Sequence, residues 1–356
     1  MRQESFAYYR LPGDDCYTEI RQSAPPVALA SVEHLDGRQG FVMAPFEVTG
    51  ACPVLLFSAE GWRRMPLPRA EETSPENARQ EQLPQTDAGL DHADRQEEEH
   101  HYYQQDFRCF HDHILSGDFS KIVLARMSEV ALTEQLDVVD LFFRACRCYP
   151  QVFVALVSAP QCGTWLTATP EILLEGNRNR FHTIALAGTM GRWGTTLWSE
   201  KNIAEQQLVA DYISDCICRF TDHCEQQGPY TVTAGNLRHL RSDFRFALPA
   251  TAALGTFLSH LHPTPAVSGL PKQQAVDLIG RAEHDRRDYY SGFMGPLDID
   301  GQSHLYVSLR CMRLHGDRCQ LFAGGGLLAD SEEEMEWKET EAKMMTMKKL
   351  IYDIRK

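Results

Sequence analysis

The stretch Tyr290–Leu314, YSGFMGPLDIDGQSHLYVSLRCMRL, reads as two short strands joined by a polar turn, with Arg310 set among apolar neighbours. Asp and Gly in PLDIDGQ are the residues a reversing chain favours. If the second half is extended, Tyr306, Ser308 and Arg310 share one face while Val307, Leu309 and Cys311 share the other. On this segment alone, a buried ion pair or a sheet edge accounts for the arginine.

The surroundings carry the same texture. VALAS, FVMAPF and PVLLFS within residues 27 to 57 form a small meander, and KIVLARMSEVAL, VFVALVS, TWLTATP and RFHTIALAG are further strands. Helical spacing appears in LDVVDLFFRACRCY, and over residues 199 to 226, where Val209, Ile213, Ile217 and Phe220 fall on one face. A last helix runs from about Ser331. Strands in runs with helices interspersed predict a mixed α+β (α/β) class with large, mainly antiparallel β-sheets.

The chain has 356 residues, 43% of them hydrophobic, and a formal net charge of -14. That size supports a substantial core, and that charge argues against nucleic acid as a partner. An enzyme for a small anion must then build a local positive site. The first residues, MRQESFAYYRLPGDD, lack the pattern of a signal peptide, and no apolar run nears the roughly 18 residues of a membrane span, so a cytoplasmic protein is expected. Eleven cysteines in that setting read as reduced thiols. The pairs Cys146/Cys148 and Cys216/Cys218 sit on predicted helices, where residues two apart point away from each other and cannot grip one ion. From about residue 66 to 99 the chain is acidic and poor in large apolar groups, which predicts a mobile segment. Just after it, His100, His101, His111 and His113 are either a solvated helix face or a metal cluster.

Several residues could do chemistry, each with a plain alternative. Lys121 opens an apolar strand; it is a solvated strand end, or a base whose proton a dry pocket loosens. Glu171, after Pro170, is an edge carboxylate, or one desolvated enough to stay protonated and act as an acid. Glu336, Glu339 and Lys343 share a face of the last helix, as an exposed charged stripe or as part of a site. The tract FAGGGLLADS just before them, with Gly324, Gly325 and Gly326, permits close approach of a ligand or backbone. Glycines beside paired carboxylates suit magnesium and an anion. Glu205 lies in the first turns of the long helix, where a negative charge complements the helix dipole in any case.

Taken together, and in this order, KIVLAR, TPEILL, ALAGT, SEKNIAEQ, LHPTPAVSGLPKQQA, YYSGFMG, YVSLR, FAGGGLL and EWKETEAK resemble the chorismate-utilising enzymes, among them the isochorismate synthases. The resemblance runs from about Phe107 to Met347. It implies a single domain of two β-sheets packed together with helices outside, residues 1–100 being its variable leading portion and 101–356 the chorismate-binding region. It places the water-activating base on Lys121 and the general acid on Glu171. It assigns magnesium (Mg2+) to Glu205 and Glu339 with Glu336 close by, acting directly or through water. Arg310, Tyr306, Lys343 and the glycine tract would hold the substrate's carboxylates. Gly188 and Thr189 would line the pocket, and His262 and Ala266 belong to a turn beside the ring.

The activity so implied is isomerisation of chorismate to isochorismate, by water addition at carbon 2 and loss of the carbon 4 hydroxyl, for menaquinone or siderophore synthesis. Relatives with glutamine at the Lys121 position use ammonia, so the lysine and Ala266 resemble the water-adding branch. Salicylate synthases share the lysine and then eliminate pyruvate, which makes them the alternative. A non-catalytic binding subunit is a third reading. Gln206 stands where the family commonly has histidine, GTMGRWG departs from the usual arginine-containing turn, and GLPK is similar to the ammonia-using branch. No exposed heptad or apolar stripe suggests self-association, so a monomer is expected.

Overall fold

The computed structural model describes residues 4–58, 61–68, 89–132, 137–191, 197–234 and 237–352. Six strands come first: β1 (Ser5–Arg10), β2 (Cys16–Gln22), β3 (Val27–Leu29), β4 (Gly40–Ala44), β5 (Val54–Phe57) and β6 (Arg63–Pro66). Then follow α1 (Gly89–Leu115), β7 (Lys121–Ala131), α2 (Val138–Cys148), β8 (Phe153–Ala159), β9 (Gly163–Thr169), β10 (Ile172–Asn177) and β11 (Arg180–Gly191). Next are α3 (Glu200–Cys218), β12 (Cys224–Ala234), β13 (Leu237–Phe246), α4 (Leu254–Leu261), β14 (Gly269–Leu270) and α5 (Lys272–Ala282). The chain closes with β15 (Phe293–Leu297), β16 (Ser303–Val307), β17 (Cys311–His315), β18 (Arg318–Leu327) and α6 (Glu333–Tyr352).

The strands form two nine-stranded antiparallel sheets, ordered β14-β7-β18-β17-β9-β8-β1-β2-β6 and β12-β13-β11-β10-β16-β15-β4-β5-β3. Both sheets take strands from the first hundred residues, so the leading portion is built into the same fold. Tyr9, Phe41, Phe57, Phe153, Trp165 and Tyr306 pack between the sheets. On the far side of the second sheet, Val209, Ile213 and Ile217 of α3 and Phe257 of α4 cover Phe181 and Phe244. The first sheet is covered by Phe142 of α2 and Met344, Met347 and Leu350 of α6, and by Phe107, Phe110 and Ile279 from α1 and α5. Alternation of apolar residues along each strand thus places helices outside and a two-sided core within.

Four expectations are corrected. The long helix stops at Cys218, not residue 226, and Cys224 already begins β12. The last helix starts at Glu333. Residues 89–99 of the acidic segment are helical, because its charges find partners: Glu99 pairs with the buried Arg126 and accepts hydrogen bonds from Ser128 Oγ and the Glu129 amide. Residues 69–88 of that segment lie outside the described residues. Finally, Arg310 is on no strand. β16 ends at Val307, and Arg310 adopts φ +46° where the chain crosses from the second sheet to β17 of the first. The crossing is pinned by Ser308 N to Gly292 O (2.8 Å), Thr167 Oγ1 to Leu309 O (2.7 Å) and Ala168 N to Arg310 O (3.0 Å).

Among the described residues no helix is long and apolar enough to cross a membrane. Cys146 and Cys216 are buried while Cys148 and Cys218 are exposed, so each pair lies on opposite sides of its helix, as expected. His100 stacks on Trp337 and its Nε2 lies 2.7 Å from Glu333 Oε1, a partly exposed contact between α1 and α6.

Candidate active site

Between the sheets, beside β7, β18 and β11, lies a cavity whose apolar walls include Val123, Leu186, Val267, Leu309 and Phe322. Alternation puts Phe322, Gly324 and Gly326 on its side of β18, while Leu321 and Ala323 pack toward α6 and α2. With no side chains at residues 324–326, α6 lies against bare backbone, and Glu339 and Lys343 reach the cavity wall. Lys343 Nζ donates to Gly324 O (2.8 Å) and pairs with Glu339 Oε1 (2.6 Å).

Gly326 is required by the same geometry. A Cβ there would overlap Glu205 Oε1 and stand 2.9 Å from Lys121 Cε. At Gly325 a Cβ would meet Glu336 Oε2 at 3.1 Å, a contact that a small shift relieves. Gly326→Ala is therefore expected to displace Glu205 and Lys121 together and to lower kcat/KM about a hundredfold. Gly325→Ala should be milder. Parallel kinetics and thermal melts check this, and a Gly326→Ala protein with wild-type turnover would contradict it.

Ten of the residues named from sequence line this cavity. Glu171, Glu205, Glu339, Arg310 and Lys343 supply its charge, and Gly188, Thr189, Ala266, Gly324 and Gly326 supply its close-packed wall. Lys121 stands just behind the wall with no exposed surface, its Nζ 3.0 Å from Glu205 Oε1. The pair is ionic by distance but not aligned for a hydrogen bond. Glu205 Oε2 accepts from Gly188 N (3.2 Å), at a β-bulge where Gly188 takes φ +70°. Gln206 is buried and satisfied: Oε1 accepts from Ala187 N, and Nε2 donates to Ala185 O and Ser242 Oγ, tying α3 to β11 and β13.

Other named residues fall outside. Tyr306 stacks on Phe153 at 4.4 Å and donates its hydroxyl to Glu175 (3.0 Å), so it braces the two sheets and is not on the cavity wall. His262 is buried, with Nε2 3.1 Å from Pro45 O, behind the turn that carries Ala266. Gly325 faces α6, and Glu336 lies beyond it.

Besides its apolar walls, two residues with polar side chains that sequence reasoning passed over line it. Tyr290 closes one side, its hydroxyl over Gly324. His239 on β13 directs Nδ1 at Gly188 O (3.2 Å) and Thr189 Oγ1 (3.3 Å), while its buried Nε2 has no hydrogen-bond partner. Burial, with the nearby Arg310 and Lys343 charges, pushes its pKa down to about 3. A neutral ring whose Nδ1 proton goes to the carbonyl leaves Nε2 an acceptor for a hydroxyl in the cavity. Nothing in NLRHLRSDF marked it beyond one polar residue in an alternating strand.

The electrostatics suit an acid beside a cationic wall. Burial raises the Glu171 pKa to about 7, against the pull of Lys121, Lys343 and Arg310. Arg310 makes no ion pair among the described residues, so its guanidinium is available to an anion. Burial also works to raise Glu339, but Lys343 and Lys201 hold it below the usual carboxylate range. Glu336 moves the other way, raised by burial against the opposing charge of Lys201.

Glu205, Glu336 and Glu339 form an all-oxygen donor set of the kind magnesium prefers. Each is engaged by a lysine: Lys121, Lys201 and Lys343 respectively. Among the described residues only His100, Glu333 and Glu334 bring three ligand atoms within 4.8 Å of one another. Glu205 and Glu339 on the cavity wall and Glu336 behind it thus have the right chemistry and would have to draw together around an ion.

Residues 62–352 match the family model described as chorismate binding enzyme. Isochorismate synthase EntC of Escherichia coli K12 is 31% identical over 238 residues, which are 64% of this chain and 61% of EntC. The chain thus aligns with about three fifths of that relative's length. The crystal structure of DhbC from Bacillus anthracis has a similar fold, with TM-score 0.80 and 21% identity over 98% of this chain and 96% of DhbC. The solved structure of MenF, the menaquinone-specific isochorismate synthase from Escherichia coli, gives TM-score 0.77 and 19% identity over 98% of this chain and 88% of MenF.

Proposed function

Because the chain belongs to the family of chorismate binding enzymes, we propose that it is a magnesium-dependent isochorismate synthase. The observation that carries this reading is one cavity with a buried carboxyl poised at about 7, Glu171, and an enclosed lysine just behind its wall, Lys121. Two groups with opposite proton tasks in a water-poor site are what hydration coupled to dehydration needs.

The substrate is a dicarboxylate in this reading. Arg310 and Lys343 hold its carboxylates, and Val123, Leu186, Val267 and Phe322 pack the ring and keep bulk water out. Magnesium held by Glu205, Glu336 and Glu339 would supply charge withdrawal from the ring carboxylate, favouring attack at carbon 2. Lys121, released from Glu205, takes a proton from water as its oxygen adds at carbon 2. The double bonds shift, and Glu171 gives its proton to the hydroxyl leaving carbon 4. One water enters and one departs, so the sum is an isomerisation. His239 Nε2 accepts a hydrogen bond from a ring hydroxyl and orients it.

Incubation with chorismate and Mg2+, with chromatography of the product and a coupled assay for pyruvate, tests the reading. Isochorismate without pyruvate is expected, and a chelator should remove the activity. Salicylate with stoichiometric pyruvate would replace this product with that of a salicylate synthase. Retained chorismate binding without turnover would make the chain a binding subunit. The product would supply menaquinone or siderophore synthesis, and we place the protein in the cytoplasm as a monomer.

A further inference from the structure

Three lysines face the three carboxylates of the proposed metal site, so the six formal charges cancel. The lysines are not equally free to leave. Lys121 has no exposed surface. Lys343 is anchored a second time, on Gly324 O. Lys201 stands in the first turn of α3 with its side chain 22% exposed, and among the described residues its ammonium is hydrogen-bonded to Glu336 alone. Glu205 and Glu339 also lie within its electrostatic reach.

Glu336 is only 3% exposed. A carboxylate so enclosed needs a cationic partner to remain ionised, because burying an unpaired charge is costly. A flexible four-carbon stem lets a lysine supply that charge and then withdraw to solvent.

We propose that Lys201 is the exchangeable counter-ion of the metal carboxylates: its ammonium leaves Glu336 when a divalent cation binds and returns when the cation departs. This rests on the metal reading given above and goes beyond it by naming the side chain the ion must displace. It also accounts for carboxylates that lie near one another without converging to ligand distance.

The test is calorimetric titration of the full chain with Mg2+ and, separately, Mn2+, without chorismate. Removing one positive charge from beside a divalent ion should tighten binding about tenfold in Lys201→Met. Without metal this variant should melt below wild type, and saturating metal should raise its melting temperature by more than it raises that of wild type. Lys338→Met, on an exposed lysine paired with Glu334, controls for charge in general and should leave metal affinity unchanged. Should Lys201→Met not fold without metal, Lys201→Gln, which still donates a hydrogen bond to Glu336, is expected to shift affinity in the same direction. Equal or weaker binding in the Lys201 variants, with wild type binding normally, would overturn the exchange and leave Lys201 a fixed scaffold. No binding by any of the proteins would overturn the metal reading and the exchange together.

Discussion

Lys121→Ala is expected to lower turnover of chorismate at least a hundredfold, the usual size of a lost general base, while the dissociation constant for chorismate stays within a few-fold. The asymmetry follows from position: Lys121 lies behind the cavity wall, so its loss removes the proton acceptor but leaves Arg310 and Lys343 in place. The variant also strips Glu205 of its nearest cation, and an orphaned buried carboxylate costs stability, on the order of 3–5 kcal/mol for a fully enclosed pair. Lys121→Gln, which restores a donor without basicity, separates the two effects. It should regain much of the melting temperature and none of the turnover. Isothermal titration with chorismate beside steady-state kinetics checks this, and hydration above about a tenth of wild type in either variant would remove Lys121 from the base role.

Glu171→Gln should be comparably severe, and its pH behaviour identifies the acid. Glu171 is held up at about 7 by burial, so its protonated, proton-donating form predominates below that pH and is lost above it. For wild type, kcat should therefore fall as pH rises through about 7, approaching tenfold per unit once the carboxylate predominates. In Glu171→Gln the rate should drop about 100-fold or more, and that alkaline limb should disappear, since an amide does not titrate. An unchanged alkaline limb in the variant would assign it to another group. Chorismate binding provides the control, because Gln keeps the size of the side chain.

Much of this site was legible because the residues that build it are costly elsewhere. Three glycines ending a strand, followed by two glutamates and a lysine on one helix face, have few structural uses, and of these Gly324, Gly326, Glu339 and Lys343 do line the cavity, with Glu336 behind Gly325. The alternation that predicted antiparallel sheets held because both sheets are covered by helices outside and by each other within. What the sequence hid was the third dimension. Tyr306 and Arg310 seemed to share a strand face, but the chain leaves the second sheet at Val307, and the left-handed turn at Arg310 sends the two side chains to different places. His239 reaches the cavity because β13 pairs with the distant β11, and Tyr290 reaches it from the turn before β15; no local pattern reports either. The acidic segment was misread at its end because the partner that orders Glu99, Arg126, lies across α1 on β7.

The central claim is that water from solvent adds at carbon 2 while the carbon 4 hydroxyl is expelled. Conversion of chorismate in water enriched in oxygen-18, with mass and NMR analysis of the product, tests it most directly. One labelled oxygen at the carbon 2 hydroxyl, with the carbon 4 hydroxyl released unlabelled to solvent, and formation of this labelled product at least a hundredfold slower in Lys121→Ala, is the expected result. Product whose carbon 2 hydroxyl carries the original unlabelled oxygen would mean transfer within the substrate, and would contradict the roles given to both Lys121 and Glu171.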